Sequence, residues 1–158
     1  GHLELVAGML GQNAEGTWVC LPNPHGHLDA AYPNTFTGPA TVCSPLWLFH
    51  WIQNQEGPGV FELVVPEGAT VLALVVEGVL GGELEGVDQG HLVVYHRHPN
   101  GGETLVRLEA HAGAKVLWML GQPLNEPIAA YGPFVMNTKA QIQEAFEDFQ
   151  NGRFGVLN

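Results

Sequence analysis

The side chains best suited to chemistry are the histidines, of which there are eight, at positions 2, 25, 27, 50, 91, 96, 98 and 111. Four of them form two His-x-His pairs. His96 and His98 flank Arg97, and Glu103 follows after an Asn-Gly-Gly turn. Side chains two apart on a strand share a face, so this pair could converge on one ion with Glu103 as the carboxylate. Imidazole and carboxylate together suit Fe, Mn, Ni or Zn. His25 and His27 flank Gly26 and precede Asp29, but they stand in a proline-rich loop, where ligands need a fold to position them. The competing reading is a set of solvated or hydrogen-bonded histidines; His98 directly precedes a proline turn. His50 stands mid-strand among Trp47, Phe49 and Trp51. It reads as a core histidine bonded to one backbone carbonyl, with a ligand or a general base as the alternative. The expectation is no cofactor, and a divalent transition metal if there is one.

Nucleophilic catalysis finds no support. The chain has one serine, Ser44, with no elbow motif around it. The glycines at 78–82 lack the Lys-Ser/Thr and the following helix of a phosphate loop. Glu83 and Glu85 share a face, but a solvated strand edge explains them. Trp18, Trp47, Trp51, Tyr95 and Trp118 could line a pocket for a flat ligand. Core packing is the default for such residues.

Composition narrows the class further. The 158 residues are 46% hydrophobic and only 13% charged, which suits one domain with a real core. Sixteen acidic residues stand against five basic ones, a formal charge of -11. The basic residues Arg97, Arg107, Lys115, Lys139 and Arg153 are scattered, so direct nucleic-acid binding is not expected. Cys20 and Cys43 read as free, buried thiols in a reducing cytoplasm. The longest apolar run, 71–76, is too short to span a bilayer. The leading Gly-His at residues 1–2 resembles the scar of a cleaved tag, which puts the domain at 3–158.

The elements that must position these groups are mostly strands. Residues 3–10 read as one strand and 17–21 as a second. Prolines at 22, 24, 33, 39 and 45 exclude helix and central strand from the segment 22–45. A loop that long is a lid, a binding loop or an ordered insertion. Strands then follow at 46–53, 59–68, 69–84, 90–98, 103–110 and 114–121, separated by Gly, Pro and Asn turns. Short strands so spaced mean a sandwich or barrel. A helix is expected over 137–151. Thr138 and Gln141 form a capping box, Gly152 a stop, and Ile142, Ala145, Phe146 and Phe149 an apolar stripe.

The stretch "GQPLNEPIAAYGPFVMNTKAQIQEAFEDFQNGRFG" resembles the closing segment of pirin-family proteins. "LELVAGMLGQ" resembles the entry strand of that family's C-terminal domain, and "LWLFHWIQNQEGPGVFELVVPEGATVLALVVEGVL" its sheet core. The resemblance implies an all-β fold: a cupin-type antiparallel β-barrel, or jelly-roll sandwich, with one C-terminal α-helix. Pirins are bicupins whose iron site, three histidines and a glutamate, lies in the N-terminal domain. Some members are described as quercetin dioxygenases, others as nuclear cofactors of transcription factors. A C-terminal half implies a metal-free structural or interaction module. Its partner would be the N-terminal cupin domain of the same protein or a second copy, with the helix stripe buried on the barrel or on that partner. The rival is a metal-dependent oxygenase for an aromatic or flavonoid-like substrate, using His50, His96, His98 and Glu103. Against it, the strand at 59–68, which would carry the first ligands, offers Glu62 alone.

Overall fold

A computed structural model describes residues 1–21, 32, 34–96 and 102–155. The chain divides into two units, Gly1–Pro123 and Leu124–Asn158. The first is built from strands β1 (His2–Ala7), β2 (Met9–Gln12), β3 (Trp18–Leu21), β4 (Asn34–Thr37), β5 (Leu46–Ile52), β6 (Gly59–Val65), β7 (Thr70–Glu77), β8 (Leu80–Gly81), β9 (Leu92–Tyr95), β10 (Thr104–Ala110) and β11 (Lys115–Gly121). One sheet has the order β1-β5-β11-β7-β9, and the other β4-β2-β3-β6-β10-β8. Named strand pairs are antiparallel except β3 with β6.

The expected strand at 3–10 is two strands in two sheets. Gly8, at φ 84, makes the break. A Cβ there would strike the Leu46 carbonyl and come within 2.7 Å of the Trp47 ring, so only glycine lets the chain cross between sheets at this point. The proline-rich segment also yields a strand, β4, but at a sheet edge, where scarce backbone pairing is tolerated.

Period-two alternation builds the core between the sheets. Trp47, Phe49 and Trp51 of β5 face in, as do Phe61, Leu63 and Val65 of β6 and Val116, Trp118 and Leu120 of β11. Phe61 is the hub. Its ring centroid lies 5.3 Å from that of Trp118, 5.4 Å from Trp51 and 5.7 Å from Phe49. Tyr95 extends the cluster, stacking on Trp118 at 5.8 Å, and its hydroxyl donates to the Arg107 carbonyl at 3.3 Å. Burial pushes the Tyr95 phenol up to about 12 from its ordinary 10.

The two central tryptophans differ in one respect. Trp47 Nε1 donates to the carbonyls of Met9 and Leu21 at 3.0 and 3.2 Å, tying β5 to the β2–β3 hairpin. Trp118 Nε1 is buried with no hydrogen-bond partner among the described residues. Cys20 is a buried free thiol, raised well above its ordinary range by that burial; Cys43 is also free but exposed, against expectation, because it lies between β4 and β5 outside the sheets.

The second unit holds a hairpin and a helix. Strands β12 (Ala129–Tyr131) and β13 (Phe134–Met136) pair across Gly132-Pro133, with Gly132 at φ 57 in the first central turn position. Helix α1 (Lys139–Gln150) begins at the expected capping box: Gln141 N–H donates to Thr138 Oγ1 at 3.2 Å, and Thr138 N–H to Gln141 Oε1 at 3.0 Å. Gly152, at φ 69, follows its end. The apolar stripe is only partly inward. Ile142 and Ala145 are buried and Phe146 is half-buried, but Phe149 is 63% exposed. Its ring instead joins Phe134 and Phe154, with centroids at 6.3 and 6.2 Å.

Trp47→Phe should destabilise the protein by about 1 to 3 kcal/mol more than Trp118→Phe, because only the first leaves two carbonyls without their indole donor. Urea unfolding measures the difference, and equal losses would refute the assignment. Tyr95 supplies a second test. The unfolded phenol ionises near 10 and the folded one near 12, so its contribution is complete below pH 10 and is lost as pH rises through 12. In rapid alkaline pH jumps read by near-ultraviolet absorbance, Tyr95→Phe should abolish a late phenolate phase; a wild type lacking that phase would contradict the burial.

Candidate functional site

The alternation that fills the core also fixes where each candidate ligand can reach. In β5 the tryptophans and Phe49 take the inner face, so His50 lies on the outer face, half-buried. Its strand neighbours in register are Glu4 of β1 and Leu117 of β11. Its Nε2 is buried and has no hydrogen-bond partner among the described residues, so that nitrogen lacks the expected carbonyl.

His96 is exposed at the end of β9, and Glu103 is exposed just before β10. These strands belong to different sheets. Between β5 and β9 stand β11 and β7. Three strand spacings amount to about 14 Å, so His50 and His96 do not share an ion. His25, His27 and His98 lie outside the described residues. Among the described residues no group of three His, Cys, Asp or Glu side chains is placed to hold a metal.

The barrel interior does not fit a metal either. Its inward positions on β6 are Phe61, Leu63 and Val65, all buried and apolar. Glu62 points out, where Arg107, its register partner on β10, stands 3.6 Å away. Arg107 also pairs with Glu109. Three further histidines serve surface contacts: His111 Nε2 lies 3.0 Å from Glu85, His91 Nδ1 2.9 Å from Asp88, and His2 Nε2 3.6 Å from Glu4. Exposed pairs of this kind contribute little to stability.

What remains is a cavity of about 360 Å³ at one mouth of the barrel, whose walls include Val65, Val71, Tyr95, His96, Thr104 and Val106. That volume suits a small ligand. The walls are mixed, with Glu67, Thr104 and Arg107 beside the valines; the Tyr95 hydroxyl is already engaged, and His96 is the one imidazole in reach among the described lining residues. Such a cavity can hold a small molecule with both apolar and polar groups.

Of the aromatic residues read as possible pocket walls, Trp47 and Trp118 are core. Trp18 lines an apolar cleft of about 600 Å³ with Leu3, Leu5, Leu10 and Phe36. The cavity walls Val65, Val71 and Thr104 went unnoticed in the sequence. Their alternation with outward residues announced an inner face, but nothing local shows where that inner face meets an opening.

Comparison with known proteins agrees with this architecture. The family model described as the Pirin C-terminal cupin domain matches residues 54–155. A Pseudomonas aeruginosa protein named "Putative quercetin 2,3-dioxygenase" is 37% identical over 138 residues, which is 86% of this chain and 46% of that protein. A "Pirin-like protein" of Caulobacter vibrioides is 40% identical over 95 residues, 60% of this chain and 33% of that one. The chain thus spans about half the length, or less, of these curated relatives. A crystal structure of a quercetin 2,3-dioxygenase from Acinetobacter baumannii superposes with a TM-score of 0.64 over 99% of this chain and 76% of its own, at 24% identity, a likeness of fold alone. With the matched stretch running from the loop after β5 to the glycine after Phe154, the chain belongs to the pirin family and carries its C-terminal cupin domain.

Proposed function

We propose that this chain is a metal-free cupin module that works by packing against another cupin body, either the N-terminal domain of a pirin-like protein or a second copy, and not by chemistry of its own. One observation carries the reading. The barrel interior, where a cupin enzyme would gather imidazoles and a carboxylate, is filled by Phe49, Trp51, Phe61, Leu63 and Trp118. An ion there would have no ligand within reach and would face the full cost of desolvation. The free thiols of Cys20 and Cys43 suit a cytoplasmic setting. No helix among the described residues is long and apolar enough to cross a membrane.

The names of the relatives favour a second reading, a metal-dependent dioxygenase acting on a flavonoid-like substrate. This chain covers less than half of that relative, so the activity can reside in the part not shared. Elemental analysis of the purified chain separates the two readings. The module reading expects less than about a tenth of a metal ion per chain and no oxygen uptake with flavonols. Stoichiometric Fe, Mn, Ni or Zn, lost on changing His96 and His98 to Ala, would overturn it.

A further inference from the structure

Where the edge strands β1 and β4 of the two sheets face each other, two cavities adjoin. One is the apolar cleft of about 600 Å³ walled by Leu3, Leu5, Leu10, Trp18 and Phe36. The other, of about 510 Å³, is polar: Gln12, Glu15, Thr17, Glu62 and Arg107 line it, together with Trp51 and Phe61 of the core. Leu3 and Trp18 are walls of both, so a ligand with one apolar and one polar end can lie across the two.

Three observations say what such a ligand must carry. Trp51 is only 3% exposed, yet its Nε1 makes no hydrogen bond among the described residues. Unlike the sealed Trp118 Nε1, it opens on the polar cavity, beside the wall residue Gly1. A buried indole donor calls for an acceptor. Charge is the second observation. Glu62 stands 3.6 Å from Arg107, which also pairs with Glu109. Glu15 meets no cation among the described residues; its Oε2 accepts from Asn13 Nδ2 at 3.1 Å. Three carboxylates thus stand against one guanidinium, and the excess favours a cation. The third is the aromatic corner of the apolar cleft, where Trp18 and Phe36 have ring centroids 5.6 Å apart at 57°. An aryl ring packs well there, and the shared Trp18 can also meet a cation on its face.

We propose that these adjoining cavities bind a small aryl amino alcohol. Its ring lies against Trp18, Phe36 and the leucines, its ammonium beside Glu15 and Glu62, and its hydroxyl oxygen accepts from Trp51 Nε1. The inference goes beyond the module reading and does not depend on it, since the cavities lie within the Gly1–Pro123 unit and need no metal. For a ligand of about ten heavy atoms the affinity is modest, with Kd of about 0.1 to 1 mM.

Isothermal titration calorimetry of the whole chain with 2-amino-1-phenylethanol at neutral pH tests this. 2-Phenylethylamine, which lacks the hydroxyl, should bind about three- to tenfold more weakly. 2-Phenylethanol, which lacks the charge, should bind more weakly than the amino alcohol, and mandelate, which reverses the charge, should not bind. Glu15→Gln combined with Glu62→Gln should weaken the amino alcohol at least about fivefold. Glu56→Gln, which removes a carboxylate outside both linings, should leave its affinity unchanged. Trp51→Phe, checked for folding by circular dichroism, should erase the advantage of the hydroxyl. If that variant does not fold, proton–nitrogen NMR of the wild type reads the same contact: the Trp51 indole N–H should move downfield on titration while that of Trp118 stays. No saturation up to about 10 mM, mandelate binding as well as the amino alcohol, or a Trp51 resonance that does not move would overturn the site. Equal weakening by Glu56→Gln would mean attraction to the charge of the whole chain, and would overturn it too.

Discussion

The packing of Phe61 against Trp118, with Trp51, Phe49 and Tyr95 around them, is the constraint on which the rest depends. The rings come from β6, β11, β5 and β9, so one cluster joins both sheets. Large rings fill the space between the sheets that polar ligands would otherwise occupy. Side chains excluded from that space must go outward, and this is where His50, Glu62 and Arg107 are found. The packing of the core and the outward placement of these polar side chains are thus two results of one arrangement.

Much of this is legible in the residues. The alternation in "LWLFHWI" puts Trp47, Phe49 and Trp51 on one face of a strand, and the structure buries that face, where Phe61 and Leu63 of β6 meet it. The capping box at Thr138 and Gln141 is a local hydrogen-bond pattern, so it reads correctly without tertiary information. Three features escape such reading because they depend on distant partners. Gly8 breaks a run that looks continuous, for reasons that lie in Leu46 and Trp47. Phe149 follows the apolar stripe of α1 yet faces solvent, because its ring neighbours come from β13 and the chain after the helix. His96 and Glu103 are close in sequence but flank strands of different sheets.

The candidate site shows the same division. That His96 could share a face with His98 follows from spacing, but what stands opposite that face is a matter of sheet order. The cavity beside His96 is an opening between strands distant in sequence, and no periodicity predicts an opening. His50 is the sharpest case. Its position among tryptophans suggested a satisfied core histidine, whereas strand alternation turns it to the outer face and leaves Nε2 buried without a partner among the described residues.

The central claim is that the core between the sheets is a packed body held by aromatic contact. Phe61→Ala tests it most directly, since Phe61 touches three of the other rings. Equilibrium urea unfolding should show a loss of about 3 to 5 kcal/mol, the cost of a large unfilled cavity in a rigid core. A loss below about 1 kcal/mol would mean that the interior already tolerates empty space, and would contradict the account.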